Sequence, residues 1–228
     1  MERRQAIVLL SGGIDSATCA ALALREGFAV TALTFAYGQR HAVEVARARE
    51  IGLALGVAAH RVIAIDLASM GGSVLTGAGE VPRDREDPAA GPVPPTYVPA
   101  RNTVFLAYAL AWADARGASD IFIGVNHLDW SGYPDCRPEF IERMQRVAEA
   151  GTRAGAEGRA PSIRAPLLAM RKAEIILLAR SLGLDLARTV SCYDADAEGR
   201  ACGRCDSCVL RRRGFAEAGV EDPTRYRA

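Results

Sequence analysis

The chain has 228 residues, half of them hydrophobic and 24% charged, and these fractions exclude a mainly disordered protein. Its formal net charge of +1 gives no global field that would favour nucleic acid or a membrane surface as the partner. No apolar run approaches the ~18 residues of a membrane-spanning helix, and no signal-peptide core follows Met1. We therefore expect a cytoplasmic protein that binds neither nucleic acid nor a membrane.

The first part of the chain alternates strand-like and helical patterns. Residues 5–10 form a continuous apolar run, which is typical of a strand buried on both faces. The elements predicted here are strands at 5–10, 29–35 and 61–65, and helices at 15–26 and 39–55. This βαβαβ order predicts a parallel sheet covered by helices on both faces.

The second part resumes the alternation after a long irregular segment. Residues 67–100 are rich in glycine and proline and have no periodicity, which is typical of a lid or a binding loop. The predicted elements that follow are helices at 101–116, 138–151, 170–182 and 207–218, and strands at 120–125 and 162–165. A second long loop is predicted at 126–137.

These elements predict one fold class. We expect a Rossmann-like three-layer α/β/α protein with about five parallel strands. Residues 1–188 would form the nucleotide-binding domain, and residues 189–228 would form a cysteine-containing segment and helix packed on that same domain.

A serine- and glycine-rich turn, Ser11-Gly12-Gly13-Ile14-Asp15-Ser16, follows the first predicted strand. Adjacent glycines let a backbone approach a phosphate closely, and the N-terminus of the next helix favours an anion. The turn matches neither the Rossmann nor the Walker A pattern. A plain capped strand-to-helix turn would have similar local sequence.

The same turn is similar to the SGGxDS signature of the PP-loop ATP pyrophosphatase superfamily, whose members cleave ATP between the α and β phosphates. The resemblance implies that residues 11–16 hold the pyrophosphate end and that Lys172, the only lysine of the chain, contacts a phosphate at the start of a helix. A compact ammonium is a sensible partner for a departing pyrophosphate. The predicted ATP-binding set comprises Leu10, Ser11, Gly12, Gly13, Ile14, Asp15, Ser16, Ala17, Thr18, Cys19, Ala20 and Lys172.

Four cysteines cluster near the end of the chain, at Cys192, Cys202, Cys205 and Cys208. In a cytosolic chain such clustering indicates metal binding rather than disulfides. Four thiolates with no open position favour a closed structural Zn²⁺ site. An iron–sulfur cluster is the rival, since its ligands also use the C-x2-C-x2-C spacing.

Further stretches narrow the superfamily to one family. Residues 35–41, 96–102, 124–126 and 129–140, together with the cysteine spacing, resemble the 7-cyano-7-deazaguanine synthase family of the queuosine pathway. The likeness runs over nearly the whole chain. Trp130 stands where we expect Tyr, and Met170-Arg171 stands where Ser or Thr is more usual before the lysine. Hydroxyl contacts are therefore not expected at these positions.

The family resemblance implies an ATP-dependent carbon–nitrogen ligase. Its substrates would be 7-carboxy-7-deazaguanine, ammonia and ATP with Mg²⁺, its product the nitrile preQ0, and its oligomeric state a homodimer. Adenylation would activate the carboxylate and then the oxygen of an amide intermediate. The alternatives are a PP-loop tRNA thiolase or lysidine-type ligase, for which Arg211-Arg212-Arg213 offers only a small basic patch, and a zinc-knuckle module without catalysis.

The candidate substrate residues lie mainly in the two long loops. Aromatic rings suit stacking on a flat base, carboxylates suit its guanidine-like edge, and arginines suit a carboxylate or a phosphate. Trp130 is a further stacking candidate, Cys136 is expected to line the pocket, and His127 is the candidate base for ammonium. The predicted substrate or catalytic residues are Tyr97, Arg101, Asn102, Asp129, Tyr133, Asp135 and Arg137.

Overall fold

A parallel five-stranded sheet forms the centre of the protein. The computed structural model describes residues 3–40, 43–88, 91–127 and 132–227. The strands are β1 Gln5–Leu9, β2 Ala29–Ala36, β3 Ala59–Ala64, β4 Asp120–Phe122 and β5 Ser162–Arg164. Their order in the sheet is β3-β2-β1-β4-β5, and every neighbouring pair is parallel. The predicted fold class is confirmed.

Helices cover both faces of this sheet. In chain order they are α1 Ile14–Arg25, α2 Val43–Leu55, α3 Arg101–Arg116, α4 Pro138–Gly151, α5 Arg153–Ala156, α6 Lys172–Ser181 and α7 Asp206–Glu217. None of the helices within the described ranges is long and apolar enough to cross a bilayer.

The core has one layer on each side of the sheet because side chains of a strand alternate between its faces. Ile7 of β1 packs in the layer that contains Leu106 of α3, whereas Val8 packs in the layer that contains Ile175 of α6 and Phe215 of α7. All five side chains are buried. The continuous apolar run of β1 follows from this two-sided burial.

Several predicted boundaries differ from the structure for local reasons. Helix α2 begins at Val43 rather than 39, since the Gln39 side chain accepts the Tyr37 N–H and closes a turn. Helix α6 begins at Lys172 rather than 170, because Arg171 is extended and its N–H donates to the Glu174 carboxylate at 2.7 Å. Strand β4 ends at Phe122 rather than 125, and the short helix α5 was not predicted.

Candidate active site and metal centre

A cavity of about 250 Å³ opens at the carboxyl ends of β1 and β4. These neighbouring strands mark the point where the strand order reverses, because the chain runs from β1 toward β3 on one side and from β4 to β5 on the other. Ligands of open parallel sheets bind at such switch points. The loops that follow β1 and β4 both line the cavity.

The serine–glycine turn closes on itself through its two hydroxyl groups. The Ser11 N–H donates to Ser16 Oγ at 3.1 Å, and the Ser16 hydroxyl donates to the Gly13 carbonyl at 3.0 Å. Gly12 has φ +88°, and a Cβ there would lie 2.7 Å from the Glu44 carbonyl oxygen of α2. Gly12 therefore packs against protein, while Gly13, the N-cap of α1, faces the cavity.

An ion pair stands at the mouth of this turn. Lys172 Nζ lies 2.8 and 2.7 Å from the two carboxylate oxygens of Asp15, and both side chains are mostly buried. Asn126, from the loop after β4, donates to the same carboxylate at 3.0 Å. Gly124 permits this approach, because a Cβ there would lie 2.9 Å from the Ser16 nitrogen.

Aromatic hydroxyls and one arginine form another part of the wall. Arg101 is the first residue of α3, and its guanidinium carbon lies 5.9 Å from the centre of the Tyr37 ring. Tyr133 shares hydrogen bonds with Thr96 at 2.9 Å and with Tyr193 at 3.3 Å. The arrangement offers a cation and apolar ring faces to a flat, anionic ligand.

Asp135 is engaged with the start of helix α3. Its carboxylate accepts the Asn102 N–H at 2.9 Å, while the Asn102 side-chain amide donates to the Asp135 carbonyl at 3.0 Å. The same amide lies 3.3 Å from the buried sulfur of Cys136. This pairing ties the loop before α4 to α3, so Asp135 has a structural role in addition to lining the cavity.

The four cysteine sulfurs converge on one point and lie within 4.8 Å of one another. Cys205 is the N-cap of α7 and Cys208 lies in its first turn, whereas Cys192 comes from a separate segment. Backbone N–H groups point at the sulfurs, with Asp194 and Cys202 each 3.2 Å from Cys192 Sγ. Hydrogen bonds from the thiols of Cys192 and Cys208 lower the pKa of Cys205, which favours its thiolate. The spacing-based prediction that these four converge is confirmed.

The cysteine segment also builds part of the cavity wall. Its residues at the cavity are Val190, Ser191, Tyr193, Ser207, Leu210 and Arg211. Arg211 is only 3% exposed and donates to the Thr189 hydroxyl at 2.9 Å and to the Leu186 carbonyl at 3.2 Å. The interpretation of residues 211–213 as a surface basic patch is thus wrong for Arg211, which faces inward while its two neighbours are exposed.

Glu44 is a cavity residue that the sequence did not indicate. It lies in the first turn of α2, partly buried and close to Arg101. Burial raises the pKa of its carboxyl to about 7, although Arg101 and a hydrogen bond from Gln39 act in the opposite direction. A glutamate within an ordinary helical pattern gives no signal that another helix will bury it.

Comparison with known proteins identifies the family. The model of "Queuosine biosynthesis protein QueC" matches residues 5–219. The chain belongs to the QueC family. A 7-cyano-7-deazaguanine synthase of Thiobacillus denitrificans is 61% identical over 97% of both chains, and one of Azotobacter vinelandii is 58% identical over 99% of this chain and 100% of its own.

A solved structure with the same fold is the NMN synthetase of Francisella tularensis. It superposes with a TM-score of 0.52 at 18% identity and covers 96% of this chain and 79% of its own. At this identity the likeness concerns the fold alone.

Within this QueC-family chain, most predicted site residues meet at the cavity. Those that line it are Leu10, Ser11, Gly13, Ile14, Asp15, Ser16, Tyr97, Arg101, Asn102, Tyr133, Asp135 and Lys172. Those that the cavity lining does not include are Gly12, Ala17, Thr18, Cys19, Ala20 and Arg137. The helix residues 17–20 are fully buried, and burial raises the pKa of the Cys19 thiol. Asp129 and Trp130 lie outside the described residues.

Two candidates for proton or covalent chemistry take different positions. Cys136 lines the cavity, as predicted. His127 is exposed, follows the loop after β4, and its N–H donates to the Met170 carbonyl at 3.4 Å. The side chain of His127 is not among the groups that line the cavity.

Proposed function

We propose that this QueC-family chain is an ATP-dependent ligase that converts 7-carboxy-7-deazaguanine and ammonia into 7-cyano-7-deazaguanine. Curated relatives with that name are 55–61% identical over almost the whole chain, which favours this activity over tRNA thiolation or lysidine formation. The observation that carries the proposal is the single cavity that joins the Ser11–Ser16 turn and Lys172 to an arginine and a group of tyrosines.

The triphosphate would occupy the turn between β1 and α1. Backbone N–H groups and the positive end of the α1 dipole favour an anion there. Lys172 adds an ammonium beside the point where pyrophosphate would leave. Mg²⁺ would accompany ATP as its counterion, and Asp15 is the carboxylate that would share in holding it.

The deazaguanine would lie against the tyrosine-lined wall. Tyr97 and Tyr133 have ring centres 6.1 Å apart and a tilt of 31°, so they form a single apolar corner against which a flat base can pack. Arg101 would neutralise the substrate carboxylate. Asn102 holds the start of α3, through Asp135, and thereby orients this arginine. Arg137 stays a predicted substrate residue, although it is not among the residues that line the cavity.

The reaction balances with two molecules of ATP. A carboxylate oxygen attacks the α-phosphorus, the bond to the β-phosphate oxygen breaks, and pyrophosphate leaves. Ammonia then adds to the acyl carbon, AMP departs with the bonding electron pair, and a proton is lost to give the amide. The amide oxygen then attacks the α-phosphorus of a second ATP and pyrophosphate leaves. The carbon–oxygen bond breaks as AMP departs with the bonding electron pair, and loss of the two nitrogen protons leaves the nitrile.

The cysteine cluster would hold one structural Zn²⁺. Four sulfurs at about 2.3 Å from a tetrahedral ion lie roughly 3.8 Å apart. The sulfurs of Cys202 and Cys208 are 4.0 Å apart, which fits one ion, whereas a multi-iron cluster needs wider ligand separations. Metal analysis of the purified protein should find one zinc per chain, and iron with acid-labile sulfide would contradict this assignment.

We propose residues 1–188 as the nucleotide-binding domain and residues 189–228 as the zinc segment packed on it, in a cytoplasmic homodimer. The contribution of the cysteine segment to the cavity wall supports treating the two parts as one catalytic unit.

The decisive experiment is a product analysis. Purified protein is incubated with ATP, Mg²⁺, ammonium and 7-carboxy-7-deazaguanine, and the base is followed by mass spectrometry. We expect the nitrile together with AMP and pyrophosphate. Omission of ammonium should abolish the nitrile, and the Asp15→Ala control should form none of the three products. Absence of nitrile, with ATP turnover only when tRNA is added, would overturn the proposal in favour of the RNA-modifying alternative.

A further inference from the structure

Gly214, in the middle of helix α7, lies directly against the stem of Lys172. A Cβ at position 214 would be 2.4 Å from Lys172 Cγ and 2.8 Å from Lys172 Cβ, and 3.1 Å from Ile176 Cδ1. The two lysine atoms belong to the start of the side chain rather than to its mobile end. They can move away only if the first turn of α6 moves or the lysine adopts another rotamer.

The stem of Lys172 determines where its ammonium stands. Nζ contacts both oxygens of Asp15, and the lysine side chain is only 15% exposed, so it has little free space. A shift at Cβ and Cγ is therefore passed on to Nζ. The ammonium would leave its position against the Asp15 carboxylate.

The other end of α7 is held by the cysteine cluster. The helix begins directly after Cys205 and contains Cys208 in its first turn, six residues before Gly214. Arg211 fixes the same helix through its buried bonds to Thr189 and Leu186. The position of Gly214 against Lys172 is thus set by a rigidly anchored helix.

We propose that Gly214 is a positioning residue for Lys172: its missing side chain lets α7 support the lysine stem and hold the ammonium at the phosphate end of the cavity. This proposal rests on the proposed function, in which Lys172 assists the departure of pyrophosphate. Gly214 itself touches no substrate. Its effect on catalysis passes through the lysine.

The single lysine of the chain allows a direct test. Protein with a lysine-free tag is produced with lysine labelled with ¹³C at Cε, so that Lys172 gives the only labelled signal. Wild type, Gly214→Ala and the control Gly151→Ala are compared with and without Mg²⁺ and a non-hydrolysable ATP analogue. Gly151 is a matched helical glycine at which a Cβ would meet nothing closer than 4.0 Å.

We expect Gly214→Ala to displace the Lys172 signal in the ligand-free protein and to lower kcat about tenfold or more, with KM for the base within about threefold. Gly151→Ala should match wild type in both measurements. An unshifted lysine signal, or a shifted signal with wild-type kcat, would overturn the proposal.

A double-mutant cycle on unfolding free energy tests the proposal even if Gly214→Ala is destabilised. Lys172→Ala removes Cγ, the atom nearest to the added methyl, so Gly214→Ala should cost less unfolding free energy in that background than in wild type. Equal losses in the two backgrounds would overturn the proposal. Failure of the proposed function is distinguishable, because wild type would then form no nitrile and its lysine signal would not respond to the ATP analogue.

Discussion

Alanine should affect stability at one of the two adjacent glycines of the serine–glycine turn and ATP binding at the other. At Gly12 the backbone has φ +88°, which costs an L-residue about 1 kcal/mol, and the added methyl would meet the Glu44 carbonyl oxygen at 2.7 Å and the Ala48 nitrogen at 3.0 Å. Overpacking against rigid backbone adds about 1–3 kcal/mol. Gly12→Ala should therefore lose about 2–4 kcal/mol of unfolding free energy, or roughly 5–15 °C in Tm for a chain of this size.

Gly13 has φ −81° and ψ 164°, which any residue adopts, and a Cβ there would make only ordinary contacts at 3.5 Å. Gly13→Ala should keep wild-type stability within about 0.5 kcal/mol. Its methyl would nevertheless stand at the cavity wall, beside the backbone that we propose to receive the phosphates. We expect ATP binding to weaken about tenfold or more, which is at least about 1.4 kcal/mol.

Urea unfolding and calorimetric ATP titration of both variants measure the two effects separately. We expect Gly12→Ala to lose stability and Gly13→Ala to keep it. We also expect Gly13→Ala to bind ATP weakly. If Gly13→Ala bound ATP as wild type does, the turn would not be the phosphate site and the reasoning would be refuted.

Three further substitutions test the ion pair, the metal centre and the buried carboxyl. Asp15→Ala should abolish pyrophosphate release, because Lys172 loses its carboxylate acceptor at 2.7 Å. The metal at the four cysteines should stay bound, and turnover like that of wild type would contradict this prediction. Cys205→Ser should release the metal and lower unfolding free energy by about 3 kcal/mol or more, since metal binding contributes to folding; a metal-free variant of normal stability would be the contrary result. The pKa of Glu44 is about 7 in the folded protein and 4.5 for an ordinary glutamate. Between pH 4.5 and pH 7 the folded state therefore retains a proton that the unfolded state has lost. Wild-type stability should fall by on the order of 1–3 kcal/mol as pH rises from 4.5 to 7, and Glu44→Gln should lack this slope in denaturant titrations at several pH values; identical profiles would refute the assignment.

Helices, strands and clusters that depend only on local sequence could be predicted. Helices α3 and α4 begin and end where the sequence predicts, at Arg101–Arg116 and Pro138–Gly151. The apolar run of β1 and the spacing of the cysteines likewise required no knowledge of distant contacts. These features depend on periodicity or on one local chemistry.

Features that depend on packing between distant elements were not predictable in the same way. Glu44 lines the cavity near Arg101 of α3, a residue far away along the chain. Arg211 shows a signal that could have been used, because Cys208, Arg211 and Phe215 are spaced by three and four residues and share one helix face. An arginine between two buried positions on that face is expected inside, whereas its neighbours Arg212 and Arg213 are exposed.

The cavity joins side chains that are far apart along the chain, and its three parts differ in how they are held. The turn after β1 and the loop after β4 are fixed by the sheet, whose strands pair throughout their length. The segment after residue 189 has no strand in the sheet; among its described residues, regular structure is limited to α7 and isolated bridges such as Ala201 with Tyr226. A short segment without sheet pairing needs another constraint to present Tyr193 and Arg211 in fixed positions. The metal proposed at the four cysteines between residues 192 and 208 would supply this constraint, and this would explain why a structural metal centre lies beside the proposed catalytic cavity.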